Sequence, residues 1–146
     1  MKLKKSLDAV YYSTALCDLQ LMNRQFAEEN ITYNSLLYLD IIFSMKEKCT
    51  ASRLAELLHV SKPAVTLKLN ELIRQGLVIK VPDPDDHRQK LLTVNEDAMP
   101  KYKVYRRQDN EAIERIKDKF SEEEIQKFCE MLDIISTINF QEIDAR

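Results

Sequence analysis

The chain has 146 residues, of which 45% are hydrophobic and 32% charged, and its formal net charge is −2. This length suits one domain with a substantial buried core, and the single glycine and four prolines favour helices over loops. There is no apolar run of about 18 residues and no signal-peptide pattern, so we expect a cytoplasmic protein that does not enter a membrane. The three cysteines are far apart, unlike a disulfide framework.

The sequence lacks the common signatures of catalysis and of metal binding. It has no glycine-rich phosphate loop, no H-E-x-x-H and no nucleophile elbow. Neither His59 nor His87 has a cysteine or carboxylate cluster near it at the spacing of zinc ligands. We therefore expect a protein that is not an enzyme and that holds neither a metal nor a cofactor.

Two helices are predicted before residue 50. Residues 6–29 carry apolar side chains close to i, i+3, i+4 spacing, which is typical of a long amphipathic helix. Thr32 is suited to cap a second helix, which runs from Tyr33 to about Lys46 and is apolar on most sides. Helices of that kind pack centrally, so we expect the second one to hold the following segment to the rest of the protein.

Two shorter helices joined by a tight turn are predicted next. Thr50 can cap the first of them, and Ser61 can cap the second, with Pro63 in its first turn where no N–H is needed. Gly76 is suited to end the second helix because glycine adopts the left-handed conformation without a Cβ clash. The break at residues 59–60 is short, which is typical of a helix-turn-helix.

A β-hairpin is predicted to follow. Residues 78–82 and 90–94 are rich in leucine and β-branched side chains, and the Asp- and Pro-rich stretch between them is typical of a turn. At the tip we expect the Asp86 carboxylate to hold the Arg88 guanidinium, and an arginine so placed can enter a narrow minor groove. Helix, turn, helix and hairpin in this order indicate a winged helix-turn-helix, which is a DNA-binding device.

The charge distribution agrees with DNA binding although the net charge does not. Residues 50–90 carry seven basic and five acidic side chains, a net of +2, whereas residues 121–146 carry two basic and seven acidic ones, a net of −5. The acidic groups therefore lie away from the predicted DNA-binding segment.

Two helices are predicted at the C-terminal end. Asn95 can cap the first, which continues to about Lys119 with either a kink at Pro100 or a regular start near Met99. Ser121 and Glu124 have the spacing of a capping box for the last helix, which we expect to fray past residue 140. The apolar surface of these helices and of the first helix predicts a homodimer, the alternative being an intramolecular three-helix cap. The candidate interface residues are Leu7, Tyr11, Ile113, Ile116, Phe128, Leu132 and Ile135.

Residues 50–95 resemble the DNA-binding core of the MarR family of bacterial transcriptional regulators. The residues that match are Leu54-Ala55-Glu56, Leu58, Val60-Ser61-Lys62, Val65-Thr66, Leu72, Gly76-Leu77-Val78 and the wing segment Asp83-Pro84-Asp85-Asp86-His87-Arg88. The resemblance implies one mostly α (α+β) domain over 1–146. In it, a winged helix at 33–95, with a two- or three-stranded wing, is flanked by dimerisation helices at 1–32 and 96–146. It also implies a homodimer that binds pseudo-palindromic operator DNA, usually as a repressor and often released by a ligand or an oxidant.

The position of each side chain within the motif predicts its contact with DNA. The first turn of the second helix in such motifs meets base edges, and later residues lie nearer phosphates. Asn70 is suited to pair with adenine, and Lys68 and Arg74 to contact phosphate. The family often has an arginine where this chain has Leu67, which can offer only apolar contact, for instance to a thymine methyl. The full predicted set is Ser61, Lys62, Pro63, Ala64, Thr66, Leu67, Lys68, Asn70, Arg74, His87, Arg88 and Lys90.

The signal that controls the protein is left open by the residues. A small-molecule site is implied by the resemblance, in the crevice between the dimer helices and the DNA-binding core. Aromatic side chains suited to line it are Tyr11, Tyr12, Tyr33, Tyr38 and Phe43. One alternative is a thiol-based redox regulator that uses Cys17, although alignment on Tyr33 places Asp8 where the peroxide-sensing branch of the family has its cysteine. The other is a winged domain used only for protein–protein contact.

Overall fold

A computed structural model describes residues 1–23, 31–45, 48–98 and 110–141, and it divides the chain into two compact units, Met1–Lys103 and Val104–Arg146. Most of the described residues are helical, and the only strands among them form a two-stranded antiparallel sheet, so the predicted fold class is confirmed. The elements are α1 (Lys2–Leu21), α2 (Tyr33–Met45), α3 (Ala51–Leu57), α4 (Lys62–Arg74), β1 (Val78–Pro82), β2 (Lys90–Val94), a 3₁₀ turn (Glu96–Ala98), α5 (residues 110–117) and α6 (Glu122–Gln141).

Helices α2 to α4 begin where the sequence predicts, because a side chain satisfies an N–H of each first turn. The Thr32 hydroxyl accepts from the backbone N–H of Ser35 at 3.1 Å. In the same way the Thr50 hydroxyl accepts from Arg53 at 3.2 Å, and the Ser61 hydroxyl from Ala64 at 3.4 Å. Each bond pairs a donor that has no partner inside its own helix.

Helices α3 and α4 end with the same backbone motif. After α4, Gly76 has a φ of 73°, and the N–H of Leu77 donates to the carbonyl of Leu72 at 2.9 Å. After α3, His59 has a φ of 51°, and the N–H of Val60 donates to the carbonyl of Ala55 at 3.1 Å. Both are left-handed C′ residues, but a side chain with a Cβ is strained in that conformation and glycine is not.

The core of the first unit lies between α2, α3, α4 and the hairpin. Helix α4 buries one stripe, at i, i+4 and i+7, and leaves the opposite side in solvent. Helix α2 supplies the centre of the core, although Leu37 on its other side is 41% exposed. The completely or almost completely buried side chains are Leu36, Leu39, Ile42, Cys49, Leu54, Val65, Leu69, Leu72, Val78 and Leu92.

The hairpin has the strands that the sequence predicts, with Lys80 opposite Leu92 and Pro82 opposite Lys90. The N–H of Leu92 also donates to the carbonyl of Cys49 at 2.8 Å, which attaches β2 to the segment before α3. The prediction that Asn95 caps a long helix is wrong. Its side chain instead donates to the carbonyl of Gly76 at 2.9 Å, because the base of the hairpin lies beside the glycine, and residues 96–98 form a 3₁₀ turn.

The outer helices differ from the prediction at their ends. Helix α1 begins at Lys2 and not at residue 6, and the predicted extension to residue 29 lies outside the described residues. The predicted kink at Pro100 also lies outside them.

The capping box is confirmed, since the N–H of Ser121 donates to the Glu124 carboxylate at 2.9 Å and the N–H of Glu124 to the Ser121 hydroxyl at 3.4 Å. The hydrogen bonds that this carboxylate accepts from the backbone N–H and from the hydroxyl of Ser121 hold the pKa of Glu124 below its ordinary value. Within the described ranges, no helix is long and apolar enough to cross a membrane.

The two left-handed residues give opposite predictions for stability. Gly76→Ala should lower the free energy of unfolding by about 1–2 kcal/mol, from backbone strain alone, because an added Cβ would meet nothing within 4 Å. His59→Gly should raise it by up to about 1 kcal/mol, since the strain at φ 51° outweighs the greater entropy of unfolded glycine. Urea denaturation of both variants measures the two changes. A stabilising Gly76→Ala would show that the left-handed C′ conformation is not what ends α4.

Candidate nucleic-acid interface

The side of α4 that faces away from the core, here called its outer side, is exposed to solvent. With Val65, Leu69 and Leu72 turned inward, the side chains on the opposite side all project into solvent. Leu67 is the most prominent, at 75% exposed. Pro63, Asn70 and Arg74 lie on this side with Leu67, and Ala64 and Thr66 lie at its edges. Ser61 and Lys62 lie at the N-terminal end of the helix, and all of these predicted DNA-binding residues are exposed.

Lys68 does not lie on this surface. Its ammonium donates to the Ser35 hydroxyl on α2 at 2.8 Å and to both oxygens of Glu71 at 3.1 Å. Ser35 is fully buried, and its hydroxyl also lies 2.9 Å from that of Thr32. The Lys68 side chain is only 14% exposed, so the structure disagrees with its predicted phosphate contact. The cation joins α4 to the first turn of α2 instead.

The carboxylates of the wing tip are directed at the loop's own backbone. One oxygen of Asp83 accepts from the N–H groups of Asp85 and Asp86, at 2.9 and 3.3 Å. Asp86 accepts from the backbone N–H of Arg88 at 3.0 Å and from the side-chain amide of Gln89 at 3.2 Å. The prediction that Asp86 holds the Arg88 guanidinium is therefore wrong, because both of its oxygens serve the turn. Arg88 and His87 project from the tip, exposed.

A cleft of about 170 Å³ brings the polar edge of α4 and the wing together. Thr66 and Asn70 line it from α4, and Lys80 and Lys90 from the two strands. Lys80 is a residue that the sequence analysis missed. Since Lys80 pairs with Leu92, it lies diagonally from Lys90 on the same side of the hairpin. The strand alternation could have revealed this, because two residues along a strand return to the same face.

Burial changes the charge that this surface presents. Of the seven cations in residues 50–90, Lys68 is paired and only partly exposed, and the other six are exposed. Of the five acids, Glu56 and Asp85 are exposed, whereas Glu71, Asp83 and Asp86 are half-buried and hydrogen-bonded. The exposed groups therefore have a net charge of +4, against +2 for the whole segment. The exposed cations are Arg53, Lys62, Arg74, Lys80, Arg88 and Lys90.

The cysteines do not form a site in the part of the chain that the structure describes. Cys17 is half-buried on α1, Cys129 is exposed on α6, and Cys49 is buried. Burial raises the pKa of the Cys49 thiol to about 11 even though Arg53 acts in the opposite direction. This thiol is protonated at neutral pH and is therefore a poor nucleophile. No group of three or more His, Cys, Asp or Glu side chains among the described residues could hold a metal ion.

The predicted effector residues have different surroundings. Phe43 lines a largely apolar cavity of about 570 Å³ between α2 and the wing, together with Ile42 and Leu91. The Tyr33 hydroxyl donates to the buried Asp18 on α1 at 3.3 Å. Partial burial and the Asp18 carboxylate raise the pKa of Tyr33 above its ordinary value, so it remains a donor. Tyr11 and Tyr12 are exposed on α1, and Tyr38 is half-buried on α2.

The predicted dimer residues lie in both compact units. In the first unit Leu7 is half-buried and Tyr11 is 51% exposed. In the second, Ile116 and Phe128 line an apolar cavity of about 300 Å³ together with Phe120 and Ile125. Ile113, Phe128 and Leu132 are each more than 40% exposed, and Ile135 is half-buried.

Part of the chain that includes the winged helix is similar in sequence to a known protein family. Residues 29–89 match the sequence model of the MarR family. The winged-helix core is therefore similar in sequence to that family. A comparison with curated protein sequences finds no match.

Solved MarR-type structures have the same fold over nearly the whole chain. FabT of Streptococcus pneumoniae in complex with DNA is 22% identical, with a TM-score of 0.62 and 94% of each chain covered. The complex of S. aureus MepR with DNA is 17% identical, with a TM-score of 0.55, covering 90% of this chain and 98% of MepR. S. aureus MepR bound to ethidium bromide is 19% identical, with a TM-score of 0.55, covering 92% and 95%. The MarR fold thus extends beyond the matched core.

The contacts of Lys68 predict an effect on folding. Lys68→Met keeps the apolar stem but removes the ammonium from Ser35 and Glu71, so the free energy of unfolding should fall by about 1–2 kcal/mol. Lys90→Gln, which alters an exposed side chain, should change it by less than about 0.5 kcal/mol. Thermal and urea denaturation of the two variants measure both values. Equal effects would mean that the Lys68 contacts add nothing to the packing of α4 on α2.

Proposed function

We propose that this protein is a homodimeric DNA-binding transcriptional regulator that represses from a pseudo-palindromic operator. In this proposal the outer side of α4 enters the major groove and the wing tip reaches the adjacent minor groove. The first turn of α4 meets base edges, and the lysines of the hairpin and Arg74 lie against phosphates.

The observation that carries the proposal is the cleft in which α4 and the wing meet. Two uncharged polar side chains suited to base edges, Thr66 and Asn70, line it with two lysines, Lys80 and Lys90. The lysines would neutralise phosphates on either side of the groove that α4 occupies. A winged domain used only for protein contact would not need six exposed cations around this surface.

The comparisons support the same function. The core matches the sequence model of the MarR family, and FabT and MepR, which have the same fold, are known in complex with DNA. At 22% and 17% identity these proteins lend support through the fold, and the DNA-binding residues of this chain are argued from its own surface.

Dimer formation is proposed from the exposed apolar side chains of both units. Large apolar surfaces in water favour association, and a two-fold dimer would place two copies of α4 on successive half-sites of one operator. The apolar side chains at issue are Leu3, Val10, Tyr11, Tyr12, Leu16 and Leu19 on α1, and Ile113, Phe120, Phe128, Met131, Leu132 and Ile134 in the second unit. Sedimentation of the purified protein measures the oligomeric state.

Control by a small molecule is proposed in preference to control by a thiol. MepR bound to ethidium bromide shows that this fold can hold a small aromatic ligand. The cavity beside Phe43 is suited to an apolar effector because it touches the wing as well as α2. If Cys17 were the sensor, organic peroxide would release the parent from DNA, and Cys17→Ser would stay bound.

The function is tested by binding to duplex DNA at several salt concentrations. The protein should select a sequence from a randomised duplex library and bind it with an affinity that falls steeply with salt. Lys80→Gln should reduce the slope of log K against log salt by about 2, because each protomer of the dimer loses one phosphate contact. Lys68→Met should leave the slope unchanged, since its cation is directed into the protein. A protein that binds all duplexes equally would refute the proposed operator recognition.

The wing tip gives a second test. Arg88→Ala should weaken operator binding by about 1–3 kcal/mol, and Arg88→Lys should restore only part, because a planar guanidinium fits the groove better than an ammonium. Asp86→Asn retains the oxygen that accepts from the N–H of Arg88 and removes a negative charge, so binding should tighten slightly. If Asp86→Asn bound as weakly as Arg88→Ala, Asp86 would act on the guanidinium after all.

A further inference from the structure

Leu67 occupies a position on α4 that folding does not explain. At 75% exposed it is, after Met1, the most exposed large apolar side chain of the described residues. It lies in the second turn of α4, opposite the buried stripe, so it adds nothing to the core. A single exposed leucine is ordinary on a protein surface, and its meaning comes from where it lies.

The side chains near Leu67 make the N-terminal part of the outer side of α4 apolar and its C-terminal part polar. Pro63 and Ala64, one turn earlier, are exposed and apolar, whereas Asn70 and Arg74, one and two turns later, carry hydrogen-bonding groups. Leu67 is the largest side chain of the apolar part. In the major groove it would cover the edge of a base pair and could offer that edge no hydrogen bond.

The chemistry of base edges decides which pair can lie beneath it. A G·C pair presents N7 and O6 acceptors and an N4 amino donor, and covering them with leucine would leave polar groups without water or a partner. Thymine alone of the four bases carries an apolar group at this edge, its C5 methyl. We propose, on the basis of the proposed function, that Leu67 contacts the C5 methyl of a thymine in each half-site and sets the base preference there.

The methyl group can be removed without altering any hydrogen-bonding group. Uracil has the same donors and acceptors as thymine but no C5 methyl. Burying one methyl is worth roughly a threefold to fivefold change in affinity, and the change is roughly tenfold to twentyfold when both half-sites of a dimer lose it. The loss should be confined to one thymine of each half-site.

The experiment uses the duplex that the full-length parent selects from a randomised library. Each thymine of that duplex is replaced by uracil in turn, and affinities are measured for the parent, Leu67→Ala and Leu57→Ala. Leu57 is another exposed leucine, on α3, and serves as the control. The parent and the control should bind more weakly when uracil replaces the same one thymine of each half-site, and Leu67→Ala should bind the thymine and uracil duplexes equally. Thermal denaturation checks that all three proteins are folded.

Two further experiments distinguish the effect of the methyl group from the effects of the rest of the base and of its position in the operator. When that position holds a C·G pair, the parent should bind the duplex with 5-methylcytosine more tightly than the duplex with cytosine, by a similar factor. Leu67→Ala should bind these two duplexes equally. Leu67→Arg should change the selected base pair there towards G·C, because arginine binds guanine O6 and N7.

Each outcome separates this inference from the proposed function. Equal binding of thymine and uracil at every position, or discrimination that survives in Leu67→Ala, would overturn the role of Leu67 and leave DNA binding intact. If the parent selects no sequence from the library, the proposed operator recognition fails, and the contact of Leu67 with thymine fails with it.

Discussion

The burial of one stripe of α4 is the constraint on which the rest of the surface depends. Val65 and Leu72 are completely buried and Leu69 is 3% exposed, so the helix cannot rotate about its axis without exposing them. At roughly 25 cal/mol per Å² of apolar area, a rotation that exposed these three side chains would cost several kcal/mol. The orientation of Thr66, Leu67 and Asn70 towards solvent is therefore a consequence of packing on the other side of the helix.

Within residues 50–90, hydrogen bonding determines which charged groups face solvent. The carboxylates of Asp83 and Asp86 are used by the backbone of the wing turn, and that of Glu71 by Lys68. These acids are half-buried, while most of the cations face water. At the wing, Arg88 and Lys90 are thus exposed while two of the three carboxylates are directed into the loop. The same carboxylates shape the turn, so structure and electrostatics come from one set of groups.

Much of the first unit could be predicted because its signals are local. Caps, a left-handed glycine and alternating strands are determined within a few residues, and Ser61, Gly76 and both strands were placed correctly. Contacts between distant residues could not be predicted in this way. Lys68 could have paired with Glu71 or with a phosphate, and only the fold brings Ser35, 33 residues away, within 2.8 Å.

The same limit explains the misprediction of Asn95, whereas the misprediction at the wing tip concerns two neighbouring residues. The Asn95 side chain was predicted to cap the helix that follows it. It instead donates to the carbonyl of Gly76, which lies 19 residues earlier in the chain. At the wing tip the sequence analysis predicted a bond between the Asp86 carboxylate and the Arg88 guanidinium. The carboxylate instead accepts a hydrogen bond from the backbone N–H of Arg88. Lys80 was missed because its importance depends on α4 lying across the cleft from it.

Gly76 is the only glycine in 146 residues, and this has a consequence for the unfolded protein. Glycine gives an unfolded chain more backbone freedom than any other residue, so a chain with almost none has fewer disordered conformations to give up on folding. Part of the stability of this protein therefore resides in a restricted denatured ensemble, where no native contact is made. The one position at which that restriction is relaxed is the bend that separates α4 from the wing.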